Sequence, residues 1–210
     1  DLVPVSLIGA VPMYLVAHPS VPFSDYKGFV DYAKKNPGKL NFSSAGNGTL
    51  PHIVMEVMLR QIGIEVTHVA YRGAAPAMAD LLSGQVHLKL DAVNNSTQHI
   101  RDRKLLALAA TSRKRTKALP DVPTLGEMGL SGFEGYLWVG AVAPAGTPKP
   151  VIDKLSAAIG RAVASADIQE RFDKEGIEPE APGAERFAAL IDREIAQYRE
   201  LAKTSNIKVD

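Results

Sequence analysis

The residues best suited to chemistry stand in two short turns. Ser43-Ser44-Ala45-Gly46-Asn47-Gly48-Thr49 lies between a strand-forming run and a helical one. Its two glycines let the backbone turn tightly and leave amide N–H groups uncovered by side chains. Thr49 or Asn47 offers a cap, and the helix that follows adds positive potential at its N-terminus. Tyr71-Arg72-Gly73-Ala74-Ala75-Pro76 repeats the arrangement one unit later. Two helix N-termini would then point into one crevice at the carboxyl ends of neighbouring strands, a place that suits a carboxylate. Any strand-to-helix turn needs small residues and a cap, so the pattern alone leaves an ordinary loop as the alternative.

Other chemistries find less support. The five histidines, His18, His52, His68, His87 and His99, never fall three or four residues apart, so no helix edge offers a pair of metal ligands. Neither a metal nor a cofactor is expected. Ser44, His52 and Asp91 assemble a Ser/His/Asp hydrolase on paper, but the nucleophile elbow Gly-x-Ser-x-Gly is absent. Gly46-x-Gly48 lacks the third glycine of a dinucleotide fingerprint, Pro51 standing there, and no Gly-Lys-Ser/Thr closes a phosphate loop. Lys and Arg number 24 against 23 Asp and Glu, for a formal charge of +1. No basic block interleaves with aromatics, so nucleic acid is not an expected partner. Without cysteine, thiol nucleophiles, Cys-bound zinc and iron–sulfur ligation are excluded. The longest apolar runs are broken by Pro12, His18, Pro19 or Gly140, short of the roughly 18 to 20 residues a membrane span needs.

The elements that must position the turns follow from pattern. With 210 residues, 46% of them apolar and 22% charged, the chain reads as globular. Leu2 to Ile8 and Met13 to Ala17 read as two strands divided by Gly9 and Pro12. A helix is expected from Tyr26 to Lys35, with Phe29, Val30 and Ala33 inward and Asn36-Pro37-Gly38 as its stop. Then come strand Leu40 to Ser44, helix Ile53 to Gln61, strand Val66 to Tyr71, helix Ala75 to Leu82 and strand Val86 to Leu90. This alternation is the signature of βαβ units and a parallel sheet. A short helical piece at Ile100 to Lys104 and strands Leu105 to Ala110 and Tyr136 to Val142 follow. From Pro150 onward everything reads as helix, with inner faces Ile152, Leu155, Ile159, Val163 and then Phe187, Leu190, Ile191, Ile195, Tyr198, Leu201. Trp138 reads as a core aromatic by default, with a cleft wall as the alternative.

Five motifs, in order, carry a resemblance. They are Pro37-Gly38-Lys39-Leu40-Asn41-Phe42-Ser43-Ser44-Ala45-Gly46-Asn47-Gly48-Thr49 followed by His52; Tyr71-Arg72-Gly73 with Pro76-Ala77; Asp80-Leu81-Leu82-Ser83-Gly84; Pro120-Asp121-Val122-Pro123-Thr124 with Glu127 and Gly129; and Trp138 with Ala143-Pro144-Ala145-Gly146-Thr147-Pro148. Spread over nearly the whole chain, they make it resemble the Bug-type (TctC-like) solute-binding proteins of the tripartite tricarboxylate transporters. The resemblance implies an α/β, two-lobed fold of the periplasmic-binding-protein type (type II-like), with the first lobe lacking its N-terminal part in this chain. Residues 16–135 would form the second lobe, and residues 1–15 and 136–210 the hinge strands and helical remainder of the first. It also implies a periplasmic receptor, not an enzyme, that closes on a small carboxylate and delivers it to membrane subunits.

Residue by residue, the resemblance assigns Ser44, Gly46, Asn47, Gly48 and Thr49 to the first carboxylate loop, and Tyr71, Gly73 and Ala74 to the second. Main-chain donors should dominate. Arg72 would either pair with the carboxylate or face solvent beside the turn. Asp91 stands at a commonly acidic family position, suited to orienting a loop or a bridging water. His52 takes a packing or capping role. Lys89, where relatives usually carry an apolar residue, shares a strand face with Asp91; bordering the cleft it would add a cation, and elsewhere it would be an exposed lysine. The alternatives are a hydrolase using Ser44 and His52, and a sensory relative that signals to a protein partner.

Overall fold

The computed structural model describes residues 1–205, with side chains through Ala196 and that of Arg199. Tyr198 and Leu201, expected on the inner face of the last helix, lie outside the described side chains. The two strands expected at the start are one strand, β1 (Leu2–Ala17). Gly9 and Pro12 do not end it, because its two halves serve different partners. Leu2 to Pro12 pair with the antiparallel strand β6 (Tyr136–Pro144), with irregularities between Pro4 and Ser6 and between Leu7 and Gly9. From Met13 onward the pairing passes to another sheet. Pro12 is thus the last residue on β6, where a missing N–H interrupts no continuing ladder.

In the second sheet Met13 to Ala17 run between β4 (Leu88–Ala92) and β5 (Leu106–Ala110), antiparallel to both. The full order is β3-β2-β4-β1-β5, with β2 (Asn41–Ser44) parallel to β3 (Thr67–Ala70) and β4. The expected parallel sheet is therefore mixed. β1 alone runs against its neighbours, because it enters from the sheet it shares with β6.

Helices cover both faces. On one, α1 (Tyr26–Lys35) and α2 (Leu50–Ile62) bring Phe29, Met55, Met58 and Leu59 against Met13, Leu15, Phe42, Leu88 and Leu90. On the other, α3 (Ala74–Leu82) and α4 (Val93–Arg101) bring Leu81 and Val93 against Tyr14 and Val16. Asp25 caps α1 through Gly28 N, and Gly63 ends α2 in the left-handed conformation (φ 66°). α4 replaces the short helical piece expected further on. Asn94, Asn95, Ser96 and Thr97 favour turns over helix interiors; here burial of Val93 and Ser96, with Ser96 and Thr97 hydroxyls donating to Ala92 O and Val93 O, holds them helical.

Against the β1–β6 half pack α5 (Lys149–Val163), α6 (Ala166–Glu175) and α7 (Ala184–Ser205), with the two-residue strand β7 (Glu178–Pro179) pairing Gly9 and Ala10. Phe187 of α7 is fully buried.

Candidate functional site

The two turns meet. β2 and β3 are parallel neighbours in register, Ser44 beside Ala70, so both chains leave the sheet at the same edge. Tyr71 N donates to Ser44 O (3.1 Å) and Gly73 N to Ala45 O (3.0 Å), tying the second turn onto the first. β2 also lies beside β4, whereas the chain reaches β4 only after β3. The carboxyl end of β2 is a point where successive units diverge, the usual ligand position in open α/β sheets.

Within the first turn the glycines supply conformation: Gly46 stands at φ 144° and Gly48 at φ 72°. Their amides are spent internally, contrary to the expectation of open donors. Gly46 N donates to Ser44 Oγ (3.2 Å) and Gly48 N to His52 Nδ1 (3.0 Å). Thr49 Oγ1 donates to Gly46 O (2.8 Å) and gives α2 no side-chain cap. The helix starts differ from the glycine amides. Neither α2 nor α3 receives a side-chain cap, so the first-turn amides of Leu50 and His52, and of Ala74 and Ala75, keep no side-chain acceptor. Their partial positive charge faces the crevice edge.

Other expected residues are placed as follows. Asn47 and Arg72 are exposed at the surface of the turns. Tyr71 turns its hydroxyl onto α3, donating to Asp80 Oδ2 (2.6 Å), and that bond first, then burial, pushes its pKa up to about 12. Asp91 does not join the turns. It is 3% exposed and Lys89 2%, and Lys89 Nζ donates to Asp91 Oδ1. Both lie on the Tyr14–Val16 side of the sheet, beneath α3 and α4. Lys89 is accordingly not a solvated lysine: its charge is paired with Asp91, which is buried beside it. Strand alternation explains this: the face opposite Leu88 and Leu90 is here also buried.

The Ser44–His52 hydrolase pair does not form. Ser44 is fully buried and its hydroxyl meets His68 Nε2 (2.7 Å) and Gly46 O (3.0 Å). His52 instead stacks on His68, ring centroids 3.7 Å apart and 11° from coplanar. Phe42 packs on the His68 ring at 4.8 Å. Burial holds His52 below its ordinary pKa, and burial followed by the neighbouring His52 lowers His68 to about 4. His68 is the site residue that sequence reasoning missed. Its signal was position: one strand over from Phe42, it shares the face that α2 covers.

Trp138 is not a core residue. It is 37% exposed, donates from Nε1 to Glu194 Oε2 (2.6 Å) and lies edge-on to Phe187. With Leu50, Leu137, Ile191 and Ile195 it lines an apolar pocket of about 350 Å³ beside the start of α2. A larger cavity of about 1040 Å³ opens between the loop around Arg115, α6 and α7, and no residue of the two turns lines it. Much of its charged rim is internally paired, Arg113 with Glu134, Lys117 with Asp173 and Arg186 with Glu180.

Residues 1–207 match the family model of the tripartite tricarboxylate transporter family receptor. The chain belongs to this receptor family. It is 38% identical over 202 residues to the UPF0065 protein in the tcbD-tcbE intergenic region of Pseudomonas sp. strain P51, covering 96% of this chain and 60% of that relative. Among solved structures it resembles R. palustris Rpa4515 with adipate, at TM-score 0.91 and 30% identity over 99% of this chain and 69% of that one. It also resembles the periplasmic binding protein BugD, at TM-score 0.87 and 38% identity, covering 99% and 70% of the respective chains. The chain thus has the α/β fold of periplasmic binding proteins and spans about 60% of the length of its Pseudomonas relative.

Proposed function

We propose that the protein is a periplasmic solute receptor, without catalytic activity, that grips a small carboxylate at the joined turns Ser44–Thr49 and Tyr71–Ala74 and presents it to the membrane subunits of a tripartite transporter. The observation that carries this reading is the pair of adjoining, uncapped helix starts at one sheet edge. First-turn amides of α2 and α3 supply the donors. Gly46, Gly48 and Gly73, at φ 144°, 72° and 120°, shape the backbone around the anion. Asn47 and Arg72 stand at the mouth, where the guanidinium favours an approaching anion. Adipate in the solved relative is a ligand of this chemical class. Family membership and the periplasmic relative BugD support the location and the transporter partners.

A thermal-shift panel of carboxylic acids, adipate among them, tests the reading. Ligand at about 100 times its dissociation constant raises stability by roughly 2.7 kcal/mol. No shift with any acid overturns it. Ala74→Pro then locates the site. Proline is well accepted at the first position of a helix but has no N–H. The variant should keep its melting temperature while losing roughly 10- to 100-fold in carboxylate affinity, the worth of one hydrogen bond to a charged acceptor. An unchanged affinity moves the ligand elsewhere.

A further inference from the structure

We propose that the stacked His52–His68 pair is the positioning element of the first turn: neutral His52 latches the Gly48 amide, His68 fixes the Ser44 hydroxyl, and proton uptake by the pair unlatches the turn. The inference rests on the proposed ligand site, since what the latch positions is the start of α2.

The turn contains two glycines and would be loosely defined by its own backbone preferences. Two imidazoles define it from outside. Gly48 N reaches His52 Nδ1 at 3.0 Å, which requires a lone pair there and therefore places the proton of a neutral His52 on Nε2. That edge faces Glu56 Oε1 at 3.9 Å. At the other end of the turn, Ser44 Oγ has His68 Nε2 at 2.7 Å, Gly46 O at 3.0 Å and Gly46 N at 3.2 Å. The rings join these contacts into one path, from Gly46 through Ser44, His68 and His52 to Gly48. The groups facing the pair are Glu56 from α2, with Arg60 beside it, and Phe42 and Ser44 from β2. Two imidazolium rings cannot stand face to face at 3.7 Å. A proton on His52 Nδ1 would set two donors against each other and free Gly48.

The test is NMR on the uniformly labelled chain. In the wild type His52 should carry its proton on Nε2 at neutral pH, and acidification should move the Gly48 amide resonance together with the histidine titration. His52→Phe keeps a stacking ring but removes the acceptor. Gly48 exchange should then quicken about tenfold, adipate affinity should fall, and His52→Gln, which restores an acceptor, should recover part of both. Adipate itself titrates in acid, so the pH readout is taken on Gly48. A proton on His52 Nδ1, or a Gly48 amide indifferent to His52→Phe, overturns the latch whatever the ligand does. Failure of the wild type to bind any carboxylate overturns the proposed function and this inference's bearing on affinity, while the Gly48 readout still decides the latch.

Discussion

Lys89 and Asp91 show how a strand places charge where composition suggests none. Both lie within 3% of full burial and are bonded to each other. Lys89→Met leaves Asp91 buried without its partner, Oδ2 already having none among the described residues. It should destabilise by about 3 to 5 kcal/mol in urea unfolding, whereas Lys89→Met with Asp91→Leu should return most of that loss. A ligand-facing Lys89 would instead alter adipate affinity and leave stability alone. The sequence displayed the two turns well, because glycine spacing reports backbone shape directly. It could not display which amides remain open. That depends on His52 and His68 coming from different elements onto one ring stack, and on Thr49 bonding back to Gly46 instead of capping α2.

Periodicity located helices where their inner faces are apolar, as in α1, whose expected bounds Tyr26 and Lys35 are those observed. It missed α4, whose polar residues carry little apolar periodicity and whose inner face is held by burial of Val93 and Ser96, and it divided β1, whose continuity comes from β6 on one half and β4 and β5 on the other. Sequence alone names no partner for a strand. Gly140 of β6 tests one such contact between elements. A Cβ there would fall within 2.6 Å of Phe187 Cε1, which belongs to the α7 anchor. Gly140→Ala should push that ring off the sheet and cost about 1 to 3 kcal/mol. Because Phe187 lies edge-on to the single tryptophan, Trp138, its displacement should also shift tryptophan fluorescence. Unchanged stability and emission would mean that α7 seats itself without this contact.

At the level of the molecule, proton linkage sets the conditions under which the fold persists. His52 and His68 are both held below their ordinary pKa in the native state, His68 at about 4. An unfolded chain therefore binds protons more readily between about pH 6.5 and that value. The contribution of His68 is complete above about 6.5 and is lost as pH falls toward 4, and His52, lowered by burial, acts in the same direction. Glu56, raised by burial, acts in the opposite sense near its own range. Urea midpoints for wild type and His68→Gln should converge on acidification; a difference constant with pH would remove His68 from the linkage. A separate consequence follows from β1. Leu2 to Pro12 belong to one sheet and Met13 to Ala17 to the other, without an intervening linker. Along this strand a protease therefore has no neutral place to cut. Scission near Gly9 would take an inner member from one half and leave the other with a severed beam, so excised halves should be insoluble and unfolding should proceed as a single event.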